Sequence, residues 1–74
     1  MTTASKTRQE AVYRRMRADI LSGVLKPGER LRFSSICEQY AASVGVIREA
    51  LSRLVEQGLV TVTHQAGYSV MSLS

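Results

Sequence analysis

The residues best placed to do chemistry gather in one short stretch, Ser43-Val44-Gly45-Val46-Ile47-Arg48. The Ser43 hydroxyl suits a helix N-cap and can also touch a phosphate. The free backbone N–H groups of a helix start, with the positive end of its dipole, attract anions. Arg48 sits one residue past Ile47, so its side chain leaves the apolar side within the first turn and a half. A guanidinium fork there can bond guanine O6 and N7 together. Its plainer role is a solvated arginine paired with a neighbouring glutamate. Arg53 lies too far along the same helix to reach bases and reads as a phosphate contact or a surface charge. Arg32 is a candidate phosphate clamp on the same side, or a solvated charge.

Catalytic and metal chemistry find no support. The only histidine, His64, has no carboxylate or cysteine arranged around it, and one Cys with one His cannot build a four-ligand zinc site. There is no Gly-rich phosphate loop before a helix, no His beside a nucleophile and no framed carboxylate pair. No cofactor is expected. His64 and Gln65 instead occupy the tip of a turn, where they can reach a minor groove or a phosphate, or form an ordinary polar turn. Cys37 falls on the inner side of a helix and reads as a small hydrophobe.

The elements that must position these residues follow from periodicity. Residues 7–22 read as a helix, with Val12, Met16 and Ile20 at i, i+4, i+8 and Tyr13 and Leu21 widening the stripe. Gly23 stops it. Lys26-Pro27-Gly28-Glu29 suits a type II turn, because Pro presets φ and Gly accepts φ > 0. Residues 30–33 can run extended as a short strand. A second helix is predicted from Ser34 or Ser35, where Ser35-x-x-Glu38 has capping-box spacing, to Ala41 or Ala42, with Ile36, Cys37 and Tyr40 inward. Ser43 then caps a third helix running to Gln57, with Ile47, Ala50, Leu51, Leu54 and Val55 on one side and Gly58 as its stop. Val44, Gly45, Arg48, Glu49, Ser52, Arg53 and Glu56 are left off that stripe. Leu59-Val60-Thr61-Val62-Thr63 and Tyr68-Ser69-Val70-Met71 read as two strands joined by the turn His64-Gln65-Ala66-Gly67. A hairpin is barely stable alone and must pack on the helices. Helix, helix, tight turn, helix and hairpin make a winged helix-turn-helix, mainly α with a small β-hairpin. The three tyrosines read as core and rim packing.

Composition narrows the partner. Seventy-four residues are room for one domain, and 45% hydrophobic residues fit a globular one. Ten Lys/Arg against six Asp/Glu give a formal charge of +4, which favours a polyanionic partner, nucleic acid or an anionic membrane. No apolar run approaches the ~20 residues of a span, and the polar start MTTASKT lacks a leader's apolar core, so a cytoplasmic location is expected. Residues 1–6 read as a flexible tail, residues 7–72 as the domain and residues 73–74 as the start of a linker.

Three spaced motifs resemble the GntR family of bacterial regulators. Residues 20–31, with Ile20-Leu21-Ser22-Gly23 and Pro27-Gly28-Glu29-Arg30-Leu31, are similar to its "I-L-x-G-x-x-x-P-G-x-x-L" opening. Ser43 through Leu51 resembles its "S-x-x-x-[VIL]-R-E-A-L" recognition helix, and Leu54 through Val60 its "L-x-x-[ED]-G-L-[VIL]" passage into the wing. Gly67 and Val70 fit the closing "G-x-x-V". The Val46-Ile47-Arg48-Glu49-Ala50-Leu51 form of that helix is similar to the FadR-like branch. The resemblance implies sequence-specific binding of double-stranded DNA at a short palindrome with a GT…AC-like core. It places Ser43 on a phosphate, Arg48 on guanine, Val44, Gly45 and Val46 near bases and backbone, and His64 and Gln65 at the wing tip. Fatty-acid-type members carry arginine at the positions of Ser34 and Val44, so this chain is expected to read its site with fewer charged contacts. The resemblance also implies a following helical domain that binds an effector and makes a homodimer. The competing expectation is a winged helix that binds protein rather than DNA; the polar and basic side bearing Ser43, Arg48 and His64 favours DNA.

Overall fold

The structure is a computed structural model; it describes residues 3–63 and 67–72, with side chains from Arg8 onward. Three helices and three short strands follow in the order α1 (Thr3–Ser22), β1 (Arg30–Leu31), α2 (Phe33–Tyr40), α3 (Val44–Glu56), β2 (Val60–Thr63) and β3 (Gly67–Val70). The strands form one antiparallel sheet in the order β1-β3-β2. This is the winged helix-turn-helix expected from the sequence, including the short third strand.

The sequence places the turns with a clear physical cause. Gly28 has φ +80° and the Glu29 N–H bonds the Lys26 carbonyl at 2.9 Å, as a type II turn requires. Gly28 N–H also bonds Val70 O, and Val70 N–H bonds Glu29 O, both at 2.9 Å, so the turn is stitched to β3. At the end of α3, Gly58 takes φ +77°, its N–H bonds Val55 O, and Leu59 N–H bonds Leu54 O at 2.9 Å. That is a Schellman cap. The end of α2 repeats it with Ala41: φ is +51°, Ala41 N–H bonds Glu38 O and Ala42 N–H bonds Cys37 O. The left-handed residue turns the chain sharply, so only three residues separate α2 from α3.

The core lies where the three helices meet the sheet. Met16, Leu25, Ile47, Leu51, Leu54 and Val60 are fully buried, each contributing about 1.5–3 kcal/mol by leaving water. The α3 stripe holds as predicted, with Ile47, Ala50, Leu51 and Leu54 buried and Val55 partly so. The buried tyrosines tie helices together by their hydroxyls. Tyr40 donates to Asp19 Oδ2 at 2.5 Å, and Tyr13 accepts from Gln57 Nε2. Burial, then the hydrogen bond to Asp19, holds the Tyr40 hydroxyl above its ordinary pKa.

Four expectations need correction. Helix α1 is already helical at Thr3, four residues before the predicted start, because Ala4, Ser5 and Lys6 offer no Gly or Pro to stop it. Thus residues 3–6 of the predicted tail are helical. Leu21 does not widen the buried stripe; it is 59% exposed, while Ile20 packs partly buried against the core. Helix α2 begins at Phe33, so Ser35 is inside its first turn and no Ser35–Glu38 capping box forms. Arg32 leaves β1 in an extended conformation and its carbonyl accepts from Ile36 N–H at 2.9 Å, starting the helix directly off the strand without a side-chain cap. Finally, Gly67 belongs to β3, paired with Thr63, rather than to the turn. A Cβ on Gly67 would lie 3.1 Å from Thr63 Oγ1, which explains a residue without one.

Candidate nucleic-acid interface

Ser43 caps α3 as the sequence predicts: its Oγ accepts the Val46 N–H at 3.4 Å, and its carbonyl accepts from Ile47 N–H at 3.0 Å. The N–H groups of Val44 and Gly45, in the first turn, precede any intrahelical acceptor and stay available to an anion. Val44, Arg48 and Ser52 follow at i, i+4 and i+8, one ridge along the helix, and all three are exposed. Gly45 is exposed beside them, and a Cβ there would meet nothing within 4 Å. Val46 is half-buried against the core. The buried stripe of Ile47, Ala50, Leu51 and Leu54 fixes this ridge outward.

Arg48 does not form the glutamate pair of its plainer role. Among the described residues the ion pairs are those of Glu10 with Arg14 and Arg53. The Arg48 guanidinium carbon instead sits 5.8 Å from the centre of the Phe33 ring. Phe33 is the first residue of α2, flanked in sequence by the exposed Arg32 and Ser34. A shallow recess lined by Arg30, Leu31, Arg32, Phe33 and Gly67 joins that corner to the wing at its Thr63–Gly67 pair. Ser34 lines a separate recess with Ser35, Cys37 and Glu38.

Arg53 is committed elsewhere. Its Nη1 bonds Glu10 Oε1 at 2.8 Å and its guanidinium lies 3.9 Å from the Tyr13 ring centre, clamping α3 to α1. The hydrogen bond to Arg53, more than any other cause, holds the Glu10 carboxyl below its usual pKa. His64 and Gln65 lie outside the described residues, between the paired Thr63 and Gly67. Phe33 is the residue that the sequence reading missed. Its signal was a large aromatic at a strand-to-helix junction, placed among polar residues where no apolar period called for it.

Among the described residues no group of three or more His, Cys, Asp or Glu could hold a metal ion, and no helix is long and apolar enough to cross a membrane.

Comparison with known proteins bears on the fold and the family. The chain is 50% identical over 62 residues to the HTH-type transcriptional repressor GlaR of Escherichia coli (strain K12), covering 84% of this chain and 28% of that protein. Its fold is similar to that of E. coli McbR/YncC, with a TM-score of 0.80, 30% identity, and coverage of 90% of this chain and 32% of the other. It is also similar to a GntR family member from Pseudomonas syringae pv. tomato str. DC3000, with a TM-score of 0.77 and 29% identity over 89% of this chain and 28% of that one. The chain thus spans less than a third of the length of these relatives. Residues 8–70 match the family described as "Bacterial regulatory proteins, gntR family", and the chain belongs to that family.

Proposed function

We propose that this chain is the DNA-reading module of a bacterial transcriptional regulator, binding double-stranded DNA sequence-specifically with α3 in the major groove. The observation that carries the reading is Arg48: exposed, free of any ion pair among the described residues, and held on the outward ridge of a capped helix. In this reading Arg48 bonds guanine O6 and N7. Val44, Gly45 and Val46 approach bases and backbone, and Ser52 extends the same ridge. Ser43, Ser34 and Arg32 contact phosphates, and the wing tip at His64 and Gln65 reaches the minor groove or the backbone.

The membership in a regulator family supports DNA over a protein partner. The FadR-like placement rests on Val46-Ile47-Arg48-Glu49-Ala50-Leu51, and with it come a short palindromic site and a homodimer made by a further domain. A repressor role is supported by similarity to GlaR, a repressor. A cytoplasmic location follows from the same reading.

Selecting bound duplexes from a random pool tests the proposal. Enrichment of one short motif is expected, with an affinity that falls by a log–log slope of a few units as salt rises, because several phosphate contacts release counterions. No enriched motif, or an affinity indifferent to salt, would overturn it.

A further inference from the structure

The two α3 arginines Arg48 and Arg53 are each set against an aromatic ring, but in different ways. Arg53, over Tyr13, has its Nη1 donor taken by Glu10 at 2.8 Å. Arg48 is placed over Phe33 and has no carboxylate partner among the described residues. A cation over a ring face uses no N–H donor, so the guanidinium is held while its fork stays available. Phe33 is itself braced: its ring meets Tyr68 edge-on, with centroids 5.8 Å apart and an interplanar angle of 86°. Tyr68 stands on β3, the middle strand, paired with Leu31 on one side and Val62 on the other. Arg48, Phe33 and Tyr68 therefore form one column from the reading helix, through the first residue of α2, to the sheet.

We propose that Phe33 is a positioning residue for sequence reading: braced by Tyr68, its ring holds the Arg48 guanidinium in place before DNA arrives. This rests on Arg48 reading a base, as proposed above. A free arginine on a helix surface must give up side-chain rotamers when it binds, which weakens the contact. A ring beneath it restricts those rotamers in the unbound protein. The benefit falls on the correct base, where the fork must be aligned, and not on general attraction to phosphate, where a mobile charge serves as well.

The test uses the 74-residue chain with Phe33→Leu, Phe33→Tyr, Arg48→Ala and the Phe33→Leu/Arg48→Ala double variant. Phe33→Met replaces Phe33→Leu if the latter does not fold. The DNA probes are the duplex that the wild-type chain enriches from a random pool and a scrambled duplex of equal length, at one salt concentration. In the unbound protein, ring-current shifts on the Arg48 side-chain protons should be present in wild type and Phe33→Tyr and lost in Phe33→Leu. Phe33→Leu should lower the ratio of the two affinities about two- to fivefold, the size of a cation–π contact at an exposed site, and leave the scrambled duplex unchanged. Phe33→Tyr should keep the ratio, and Phe33→Leu should add nothing in the Arg48→Ala background. Equal weakening of both duplexes, or an undiminished effect of Phe33→Leu when Arg48 is already alanine, overturns the positioning role alone. An Arg48→Ala variant with an unchanged ratio overturns base reading itself, and the positioning role with it.

Discussion

Arg53 on α3 and Glu10 on α1, 43 residues apart in sequence, meet at 2.8 Å, and the same guanidinium lies over the Tyr13 ring. One arginine therefore joins a carboxylate and an aromatic of the first helix to the helix that carries the candidate reading ridge. Its role follows from that placement. Arg53→Ala should lower the thermal midpoint while leaving the preference among duplexes as it is in wild type. Thermal melts and competitive binding check this, and a lost preference with an unchanged midpoint would place Arg53 on the DNA instead.

The same pair sets a pH dependence. Glu10 is held below the ordinary 4.5, chiefly by its hydrogen bond to Arg53. A folded-state value lower than the unfolded one gives stability that is present above the unfolded pKa and fades as pH falls through the folded one. Melts of wild type should therefore lose midpoint below about pH 4.5 more steeply than melts of Glu10→Gln. Parallel profiles for the two would mean that the pair contributes nothing.

Ala41 holds a left-handed φ of +51° at the cap that Gly58 occupies on α3. An L-residue there costs about 1–2 kcal/mol, partly offset by the smaller unfolded-state entropy of Ala relative to Gly. Ala41→Gly should stabilise the domain by about 0.5–1 kcal/mol, read as a higher midpoint in denaturant. Gly58→Ala should move it the other way. A destabilising Ala41→Gly would show that the turn between α2 and α3 is not strained.

Gly45 sits in the first turn of α3 with nothing within 4 Å of where a Cβ would stand. Ala is the better helix former by about 0.5–1 kcal/mol, so Gly45→Ala should raise stability. If Gly45 lies against DNA, the same methyl should weaken the enriched duplex severalfold. Unfolding and binding measured on one preparation check both signs. Gains in both would remove Gly45 from the interface.

Much of this was legible because the strongest signals are local. The i, i+3, i+4, i+7 spacing from Ile47 to Leu54 fixed the buried side of α3, and with it the outward ridge of Val44, Arg48 and Ser52. Pro27-Gly28 and Gly58 marked turns that only φ > 0 can make. What sequence missed depends on partners far away in the chain. Periodicity assigns Leu21 to a stripe but cannot say how much of that stripe the rest of the fold covers. It cannot see Leu25 and Leu31, buried from a loop and a two-residue strand. The Ser35–Glu38 spacing suggests a cap, yet the strand leading into Arg32 had already begun the helix. Arg53 looked like a surface charge because Glu10 and Tyr13 are brought to it only by the fold.

In the proposed function Arg48 reads a base from the exposed ridge of α3. Competitive binding of wild type and Arg48→Ala to the enriched and scrambled duplexes at one salt concentration tests it most directly. A loss of about 1–3 kcal/mol on the enriched duplex is expected, with a small uniform loss on the scrambled one and a blurred motif on reselection. Equal weakening on both, with the motif retained, would contradict it.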